Sequence, residues 1–534
     1  MELMAIHSPD LQIRVRRCRQ FWICARSTCI LAAFSCIGLL LPARASDDSS
    51  RISKNPTFND GMTGWQASGA VKIKTSAVKP DQHEVVLGPG QAWISQRIAA
   101  DATNHMTVSA ILHSVRPGVG IVTVRFLDKD NHELMSLQSP TDIGAGKKPD
   151  TMEDYFRPHP LTASVEIIVS KRDSRDQVTV EQAELDVFKD NDPALKSTQN
   201  ISELMRPFWK GGFVSNEATL LTSRNDGPAM GTLMFLPTRI VSVASYDGAV
   251  KYQEGDDYSV EGRTLLAGAH SRMSQVHSKD LLSGELAWNV IGGKQVLVTY
   301  EHGDAWTGPV QSYVGNQLPN TQARLRDHHP VRIVIYGDSI SYGLGSSHMQ
   351  KISPWQPPWV DLFIDELKKA WQDPGITLFN ASQSGADSNW AKRMAGRMVA
   401  SLHPDLTVIA FGQNDFWSVS PEAFAANISD VMRTVRDANP QAEFLLLSTM
   451  RFDPAYTADP TYWNHVSGYQ AQLRALTAQG VQLVDITAIS GAVFAAKAPR
   501  DCINDPLHPN DYLSRWYAQS MVAALVPELK DAEK

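Results

Sequence analysis

The spacing of hydrophobic and polar positions divides the chain into regions with different periods. Between residues 52 and 190, short runs such as GIVTVRFLD at 120–128 alternate apolar and polar residues, and turn residues separate the runs. Alternation with a period of two is typical of β-strands that bury one face. A similar pattern fills residues 201–320, behind a polar linker at 189–200. We therefore predict two β-sandwich domains, at 46–190 and 201–320.

From residue 331 onward, the pattern changes to apolar runs of strand length that alternate with helical periods. This alternation predicts a parallel sheet covered by helices on both faces, which is a three-layer α/β/α fold of the flavodoxin-like kind. The expected α/β domain spans residues 325–534. Strands are predicted at 331–336, 376–381, 406–411, 443–448 and 481–486, and helices at 359–371, 388–402, 421–439, 462–479 and 511–526.

The first 45 residues have the composition of a secretory signal. Five arginines precede an apolar stretch at 29–41, and Ala43-Arg44-Ala45 follows it as a cleavage signal. The stretch is short for a membrane span. We predict export to the periplasm or the medium, with cleavage before Ser46 and no stable membrane insertion afterwards. An uncleaved anchor is the alternative.

Net charge and cysteine content limit the partners and the cross-links that the protein can have. The formal net charge is −7, and removal of the arginine-rich leader makes it more negative, so the chain has no basic surplus for nucleic acid. Of five cysteines, only Cys502 lies beyond the leader. We expect it to be a buried structural thiol, and we expect no intramolecular disulfide in the mature chain.

A candidate nucleophile lies at the end of the first strand of the α/β region. The run at 331–336 stops at Gly337-Asp338-Ser339, which places Ser339 at the edge of a sheet, facing solvent. A serine needs an adjacent base, and His508 is the candidate. Asp505 lies three residues before His508, so one helical turn would place both side chains on one face. Asp501 is the rival carboxylate, with a less suitable spacing.

Four short blocks follow one another in this region: GDS at 337–339, NASQSG at 380–385, GQND at 412–415 and DPLH at 505–508. Together they resemble the SGNH (GDSL-type) hydrolase superfamily, over about residues 325–534. The resemblance extends to bacterial carbohydrate acetylesterases, such as acetylxyloglucan and acetylxylan esterases. It implies a catalytic set of Ser339, Asp505 and His508.

The same resemblance implies an oxyanion hole built from the Ser339 N–H, the Gly385 N–H and the side-chain amide of Asn414. Glycine suits this role because it has no Cβ to block approach to its N–H. Three aromatic residues follow these donors, and each is interpreted either as part of a sugar platform or as core: Trp390, Phe416 and Trp417.

The N-terminal β region offers weaker signals. Its opening at 55–65 resembles jelly-roll carbohydrate-binding modules, and Trp65 and Trp93 are either core residues or sugar contacts, with core favoured. The segment at 128–131 is typical of a hairpin turn, with a calcium site as the alternative. The pair His328-His329 is expected in a surface loop rather than at a metal.

The sequence thus predicts a secreted serine esterase that removes O-acetyl groups from a plant cell-wall polysaccharide such as xyloglucan or xylan. Its partner would be the acetylated polysaccharide or oligosaccharide, and neither a metal nor an organic cofactor is expected. The alternatives are a lipid or aryl esterase of the same superfamily, and a catalytically silent sugar-binding protein.

Overall fold

The structure is a computed structural model of the chain. It describes residues 53–527 except for 77–79, 101–104, 115–119, 141–149, 157, 159–160, 172–174, 189–195, 225–226, 284–290, 351, 374 and 454–459. The predicted leader and its cleavage site lie outside the described residues, as does most of the linker predicted at 189–200. Within the described ranges, no helix is long and apolar enough to cross a bilayer.

The N-terminal region consists of two five-stranded antiparallel sheets, with the orders β1-β4-β9-β6-β7 and β2-β3-β10-β5-β8. Their inward side chains form one buried cluster, because alternate residues such as Val165, Ile167 and Val169 point inward and are fully buried. The β-rich prediction is confirmed here. The strands are β1 Gln66–Ser68, β2 Val71–Thr75, β3 His83–Leu87, β4 Trp93–Ala99, β5 His105–Ser114, β6 Gly120–Leu127, β7 Glu133–Pro140, β8 Asp150–Phe156, β9 Ser164–Lys171 and β10 Val178–Phe188.

The second region is again rich in strands, which form sheets with the orders β11-β19-β14-β15 and β16-β17-β13-β12-β18. Its elements are α1 Ile201–Leu204, β11 Phe213–Thr219, β12 Thr222–Ser223, β13 Met230–Thr232, β14 Pro237–Ser245, β15 Lys251–Tyr252, β16 Tyr258–Glu261, β17 Thr264–Ala267, β18 Val276–His277, α2 Ser278–Ser283 and β19 Val296–His302.

The C-terminal region has a five-stranded parallel sheet with the order β21-β20-β22-β23-β24, followed by the hairpin β25–β26. This is the flavodoxin-like order, in which a ligand binds where the strand order reverses, next to the first strand. The elements are α3 Pro319–Arg326, β20 Val331–Gly337, α4 Ser339–Tyr342, α5 Trp359–Trp371, β21 Ile376–Asn380, α6 Ser388–Met398, β22 Leu406–Ala410, α7 Pro421–Ala438, β23 Glu443–Leu447, α8 Pro460–Ala475, β24 Val481–Val484, α9 Ile486–Ala496, β25 Ile503–Asp505, β26 His508–Pro509 and α10 Asp511–Leu525.

All five predicted strands and all five predicted helices of this region are present, with ends that shift by a few residues. The sequence prediction missed α9, Ile486–Ala496, because its sequence ITAISGAVFAA is apolar on nearly every side and lacks the polar stripe of a surface helix. A single residue, Asp485, separates the end of β24 from the start of α9, so the predicted strand at 481–486 ran into the helix.

The second region and the C-terminal region share a hydrophobic core. Phe208 stacks on Trp516 with 3.3 Å between ring centroids, and buried residues from 205 to 525 form one continuous cluster. The predicted boundaries at 46–190, 201–320 and 325–534 stay predictions. The packing nonetheless shows that the second region covers one side of the parallel sheet domain.

Candidate active site

Ser339 occupies the first turn after β20, the strand between β21 and β22 in the parallel sheet. The side chain of Asp338 caps the short helix α4, since its Oδ1 accepts the N–H of Ile340 at 3.0 Å. The cap turns the chain sharply at the end of the strand, and Ser339 is the first residue of the helix. Ser339 is only 5% exposed, so the expectation that it faces open solvent was wrong.

Asp505 and His508 lie on a hairpin rather than on a helical turn. β25 pairs with β26 in an antiparallel arrangement that sets Asp505 opposite His508. The Oδ1 of Asp505 accepts the backbone N–H groups of Leu507 at 2.9 Å and His508 at 3.1 Å. An aspartate that bonds to the backbone two and three residues later stabilises a turn and competes with helix formation. The predicted helical turn was therefore wrong, although the predicted proximity is present.

The structure brings Ser339, His508 and Asp505 into one hydrogen-bonded chain. His508 Nε2 lies 2.9 Å from Ser339 Oγ, and His508 Nδ1 lies 2.9 Å from each carboxylate oxygen of Asp505. This order places the imidazole between a hydroxyl and a carboxylate, as a base that activates a serine requires. The rival Asp501 takes no part, because it lies buried and accepts the N–H of Leu220 at 2.7 Å.

The surroundings of His508 favour its protonated form. Burial lowers the pKa of His508, but the charge and the hydrogen bond of Asp505, together with the charge of Asp338, raise it more. The net result is a pKa above the usual histidine value. His508 can therefore hold the proton it takes from a serine, while Asp505 stabilises the resulting imidazolium.

Three groups predicted to bind an oxyanion follow neighbouring strands of the sheet. Ser339 follows β20, Gly385 follows β21, and Asn414 follows β22. Gly385 has φ +74°, a backbone conformation that favours glycine, whereas a Cβ there would meet nothing within 4 Å. The requirement for glycine is therefore conformational at this position, rather than the steric one that the sequence suggested.

The backbone donors among these groups are available. Among the described residues, neither the N–H of Ser339 nor that of Gly385 donates a hydrogen bond to the protein. The Nδ2 of Asn414 donates to the carbonyl oxygen of Ala386 at 3.0 Å, which fixes the amide beside Gly385 and leaves its second N–H. The arrangement can supply several preorganised donors to a developing negative charge.

Two buried carboxyl groups beside this set were not assigned a site role from the sequence. Burial raises the pKa of Asp338 to about 7, and burial raises the pKa of Asp415 to about 6. Asp415 Oδ1 accepts the N–H of Ser388 at 2.9 Å and so ties the loop after β22 to the start of α6. Asp338 acts locally, through its capping hydrogen bond to α4.

The three candidate aromatic residues have different surroundings. Phe416 is 4% exposed and packs against Phe452 and Tyr462, so of its two interpretations the core one applies. Trp390 is half-buried. Trp417 is 53% exposed and lies with its ring centroid 4.1 Å from that of Phe416. Of the three, Trp417 presents the most surface to a ligand.

The other candidate residues take no part in the hydrogen-bonded chain from Asp505 to Ser339. Cys502 is fully buried with a free thiol, as predicted, and Trp65 is a core residue at 7% exposure. His328 and His329 are both exposed. The segment at 128–131 joins β6 to β7 as the predicted hairpin turn.

That hairpin turn contains the one group of side chains with metal-ligand spacing in the described part of the chain. The candidate ligand atoms lie within 4.8 Å of one another, and two of the three side chains are exposed. Exposed acidic turns commonly have this geometry without a metal. The group consists of Asp128, Asp130 and His132.

Residues 335–515 match the family model described as the GDSL-like lipase/acylhydrolase family. The C-terminal region is therefore a GDSL-like lipase/acylhydrolase (SGNH) domain, built on the parallel sheet described above. No curated protein matches the chain.

The chain also resembles solved structures at low identity. A carbohydrate esterase family 3 protein from Talaromyces cellulolyticus is 15% identical, and the alignment covers 36% of this chain and 94% of that one with a TM-score of 0.29. The acetyl xylan esterase AlAXEase is 18% identical over 36% of this chain and 98% of its own, with a TM-score of 0.29. The enzymatically active domain of bacteriophage CBA120 tailspike protein 4 is 12% identical, with coverage of 26% of this chain but only 21% of that chain, and a TM-score of 0.23.

Proposed function

We propose that this protein is an exported serine esterase that removes O-acetyl groups from a plant cell-wall polysaccharide such as xyloglucan or xylan. The observation that carries the proposal is the unbroken chain from Asp505 through His508 to Ser339, with 2.9 Å at each step. A hydroxyl, an imidazole and a carboxylate in this order perform acyl transfer in enzymes of unrelated folds.

In the proposed reaction, Ser339 Oγ attacks the carbonyl carbon of the acetyl ester while His508 Nε2 takes the hydroxyl proton. The tetrahedral intermediate collapses, the bond from carbon to the sugar oxygen breaks, and His508 returns the proton to that oxygen. Water then attacks the acetyl-enzyme, and His508 removes a proton from it. The bond to Ser339 breaks, Ser339 regains its proton from His508, and acetic acid leaves and ionises to acetate in water.

The negative charge of each tetrahedral intermediate needs donors that are already in position. The N–H groups of Ser339 and Gly385 and the amide of Asn414 are the proposed donors. Within the described residues neither backbone N–H has a hydrogen-bond acceptor, which supports this assignment, because donors that need not break a protein bond cost no reorganisation during the reaction.

A carbohydrate substrate is the finer part of the proposal, and it rests on Trp417. An indole that is 53% exposed, three residues along the chain from the proposed donor Asn414, offers a flat apolar face to a ligand. Sugar rings present flat faces of C–H groups that pack well on such a surface, whereas Phe416 underneath is buried and serves to support the indole.

The leader and the N-terminal β region complete the proposal. Export to the periplasm or the medium would bring the enzyme to an extracellular polymer. The β region at 46–190 is proposed to be a module of the carbohydrate-binding type. Its half-buried Trp93, the first residue of β4, is the remaining aromatic candidate for a sugar contact there.

Acetate release from acetylated xyloglucan, xylan, mannan and pectin tests the proposal, with nitrophenyl acetate, butyrate and octanoate assayed beside them. We expect release from a plant polysaccharide and a preference for acetyl over longer acyl groups. Ser339→Ala should abolish release, while Ser341→Ala, a buried serine of the same short helix, should retain it. Rates that rise with acyl length would indicate a lipid esterase, and sugar binding without any hydrolysis would indicate a catalytically silent protein.

A further inference from the structure

The hairpin that carries Asp505 and His508 is anchored from outside the parallel sheet domain. Strand β25 runs beside the segment that leads into β19 of the second β region. The N–H of Ile291 donates to the carbonyl oxygen of Asn504 at 2.7 Å, and the N–H of Gly292 lies 3.2 Å from Asn504 Oδ1. A Cβ at Gly292 would lie 2.4 Å from that same oxygen, so this close approach requires glycine.

Gln295 makes the central contact between the two regions. Its Nε2 donates to the carbonyl oxygens of Arg500 at 2.7 Å and Ile503 at 3.0 Å. Its Oε1 accepts a hydrogen bond from Asn510 Nδ2 at 2.8 Å. Both amide hydrogens and the amide oxygen are therefore occupied, on a side chain that is 1% exposed. One buried amide thus binds the chain on both sides of the hairpin.

Asn510 extends this contact across the base of the hairpin. Besides its bond to Gln295, Asn510 Nδ2 donates to the carbonyl oxygen of Asp501 at 2.7 Å. The backbone N–H of Asn510 donates to the carbonyl oxygen of Cys502 at 3.1 Å. Its Oδ1 accepts the N–H of Leu513 and caps α10. The segment entering the hairpin and the segment leaving it are consequently fixed to each other and to Gln295.

We propose that Gln295 is a positioning residue for the Asp505–His508 hairpin and that the second β region is therefore part of the catalytic unit. The proposal rests on the proposed esterase function. Asp505 and His508 hold each other locally, but nothing in that local pair sets the distance from His508 Nε2 to Ser339 Oγ. That distance depends on where the whole hairpin sits, and Gln295 fixes the base of the hairpin.

The chain offers a matched control in Gln519. It is also a buried glutamine, 4% exposed, and its Nε2 also donates to two carbonyl oxygens across the same interface, those of Leu204 at 3.1 Å and Arg206 at 2.9 Å. It lies on α10, and within the described residues its side chain forms no hydrogen bond with the hairpin. Gln295→Met and Gln519→Met thus remove the same kind of contact, and only the first acts on His508.

The test compares kcat and KM of both variants on 4-nitrophenyl acetate, per folded molecule and well below each melting temperature. We expect Gln295→Met to lose about 10²-fold in kcat, as small misplacements of a catalytic group do, with KM unchanged. Gln519→Met should keep the wild-type kcat even if it melts earlier. The proposal would be overturned if the two variants had equal kcat values, or if Gln295→Met changed KM and left kcat at the wild-type value.

Gly292→Ala provides a second perturbation in case Gln295→Met does not fold. The added methyl pushes on Asn504 from the other anchoring point, and we expect kcat to fall while KM holds. A Gly292→Ala enzyme that folds and retains full kcat would contradict the role of this contact.

The rate at which an alkyl fluorophosphonate labels Ser339 separates this proposal from the proposed function. Labelling needs an activated serine but not an ester substrate. If the wild type is labelled yet hydrolyses no ester, the proposed esterase function fails. The labelling rates of the wild type and Gln295→Met can still be compared, so the positioning proposal is still tested. If the wild type is labelled and Gln295→Met is labelled at the same rate, the positioning proposal fails alone.

Discussion

The side chain of Gln413 donates from Nε2 to the carbonyl oxygen of Leu507 at 3.0 Å, and so holds the turn between Asp505 and His508 against the sheet. Its Oε1 accepts the hydroxyl of Thr449 at the end of β23. Gln413 is 3% exposed and is the second residue of the GQND block at 412–415. The tip of the hairpin is thus attached to the sheet, while its base is attached to the second β region.

The pH dependence of activity tests the role of Asp505. We expect kcat/KM to fall as the pH drops through the pKa of His508, which lies above the usual value of about 6.5. Asp505→Asn removes the charge that raises this pKa while burial still lowers it, so the fall should move to lower pH. The variant should also lose about 10⁴-fold in kcat, the cost of a wrong imidazole tautomer.

Asp501→Asn is the control for this prediction, because it alters the rival buried carboxyl without touching His508. Its pH profile should match that of the wild type. If the pH profile instead shifts in Asp501→Asn and stays unchanged in Asp505→Asn, then Asp501, and not Asp505, is the carboxylate that orients His508.

Asn414→Ala tests the oxyanion donors. Because the amide acts on charge that develops during the reaction, kcat should fall by about 10²–10³-fold with little change in KM. Steady-state kinetics on nitrophenyl acetate measure both constants. Asn389→Ala, a nearby exposed asparagine on α6, should change neither of them. A raised KM at constant kcat would make Asn414 a residue that binds the substrate in its ground state.

The sequence predicted those features that depend on local patterns. The strands that position Ser339, Gly385 and Asn414 follow from apolar runs, and the motif blocks identify the side chains. It could not distinguish a helical turn from a hairpin between Asp505 and His508, since three-residue spacing brings side chains together in both. Phe416 and Trp417 are adjacent aromatic residues, and only tertiary packing decides which one is buried.

Local sequence patterns likewise could not predict the contacts between the second β region and the C-terminal region. A buried ion pair joins the two regions. Lys497 Nζ lies 2.5 Å from Glu217, which is 280 residues earlier in the sequence, and 3.6 Å from Asp501, and all three side chains are buried. Nothing in a lysine's own surroundings along the chain indicates such a partner. The same holds for Gln295.

Lys497→Met should destabilise the protein strongly. The change leaves the carboxylate of Glu217 buried without its cation, and breaking a buried ion pair in this way costs about 3–5 kcal/mol of the free energy of unfolding. Denaturant unfolding measures the loss. The double variant Lys497→Met/Glu217→Gln should recover part of it, because no unpaired charge then remains at Glu217. A single variant as stable as the wild type would show that the ion pair contributes little to joining the two regions.

Trp417 decides whether the site is adapted to sugars. Trp417→Ala removes the exposed indole but leaves the buried Phe416 beneath it, so the fold and the catalytic set should be unaffected. On acetylated xylan or xyloglucan, we expect KM to rise about tenfold, which corresponds to about 1.4 kcal/mol of lost binding. On 4-nitrophenyl acetate, which has no sugar ring, kcat/KM should stay at the wild-type value. Trp417→Phe should fall between the two enzymes on the polymer, since it retains a smaller aromatic face. If Trp417→Ala loses activity equally on both substrates, the indole supports the active site itself, and the argument for a carbohydrate substrate loses its structural basis.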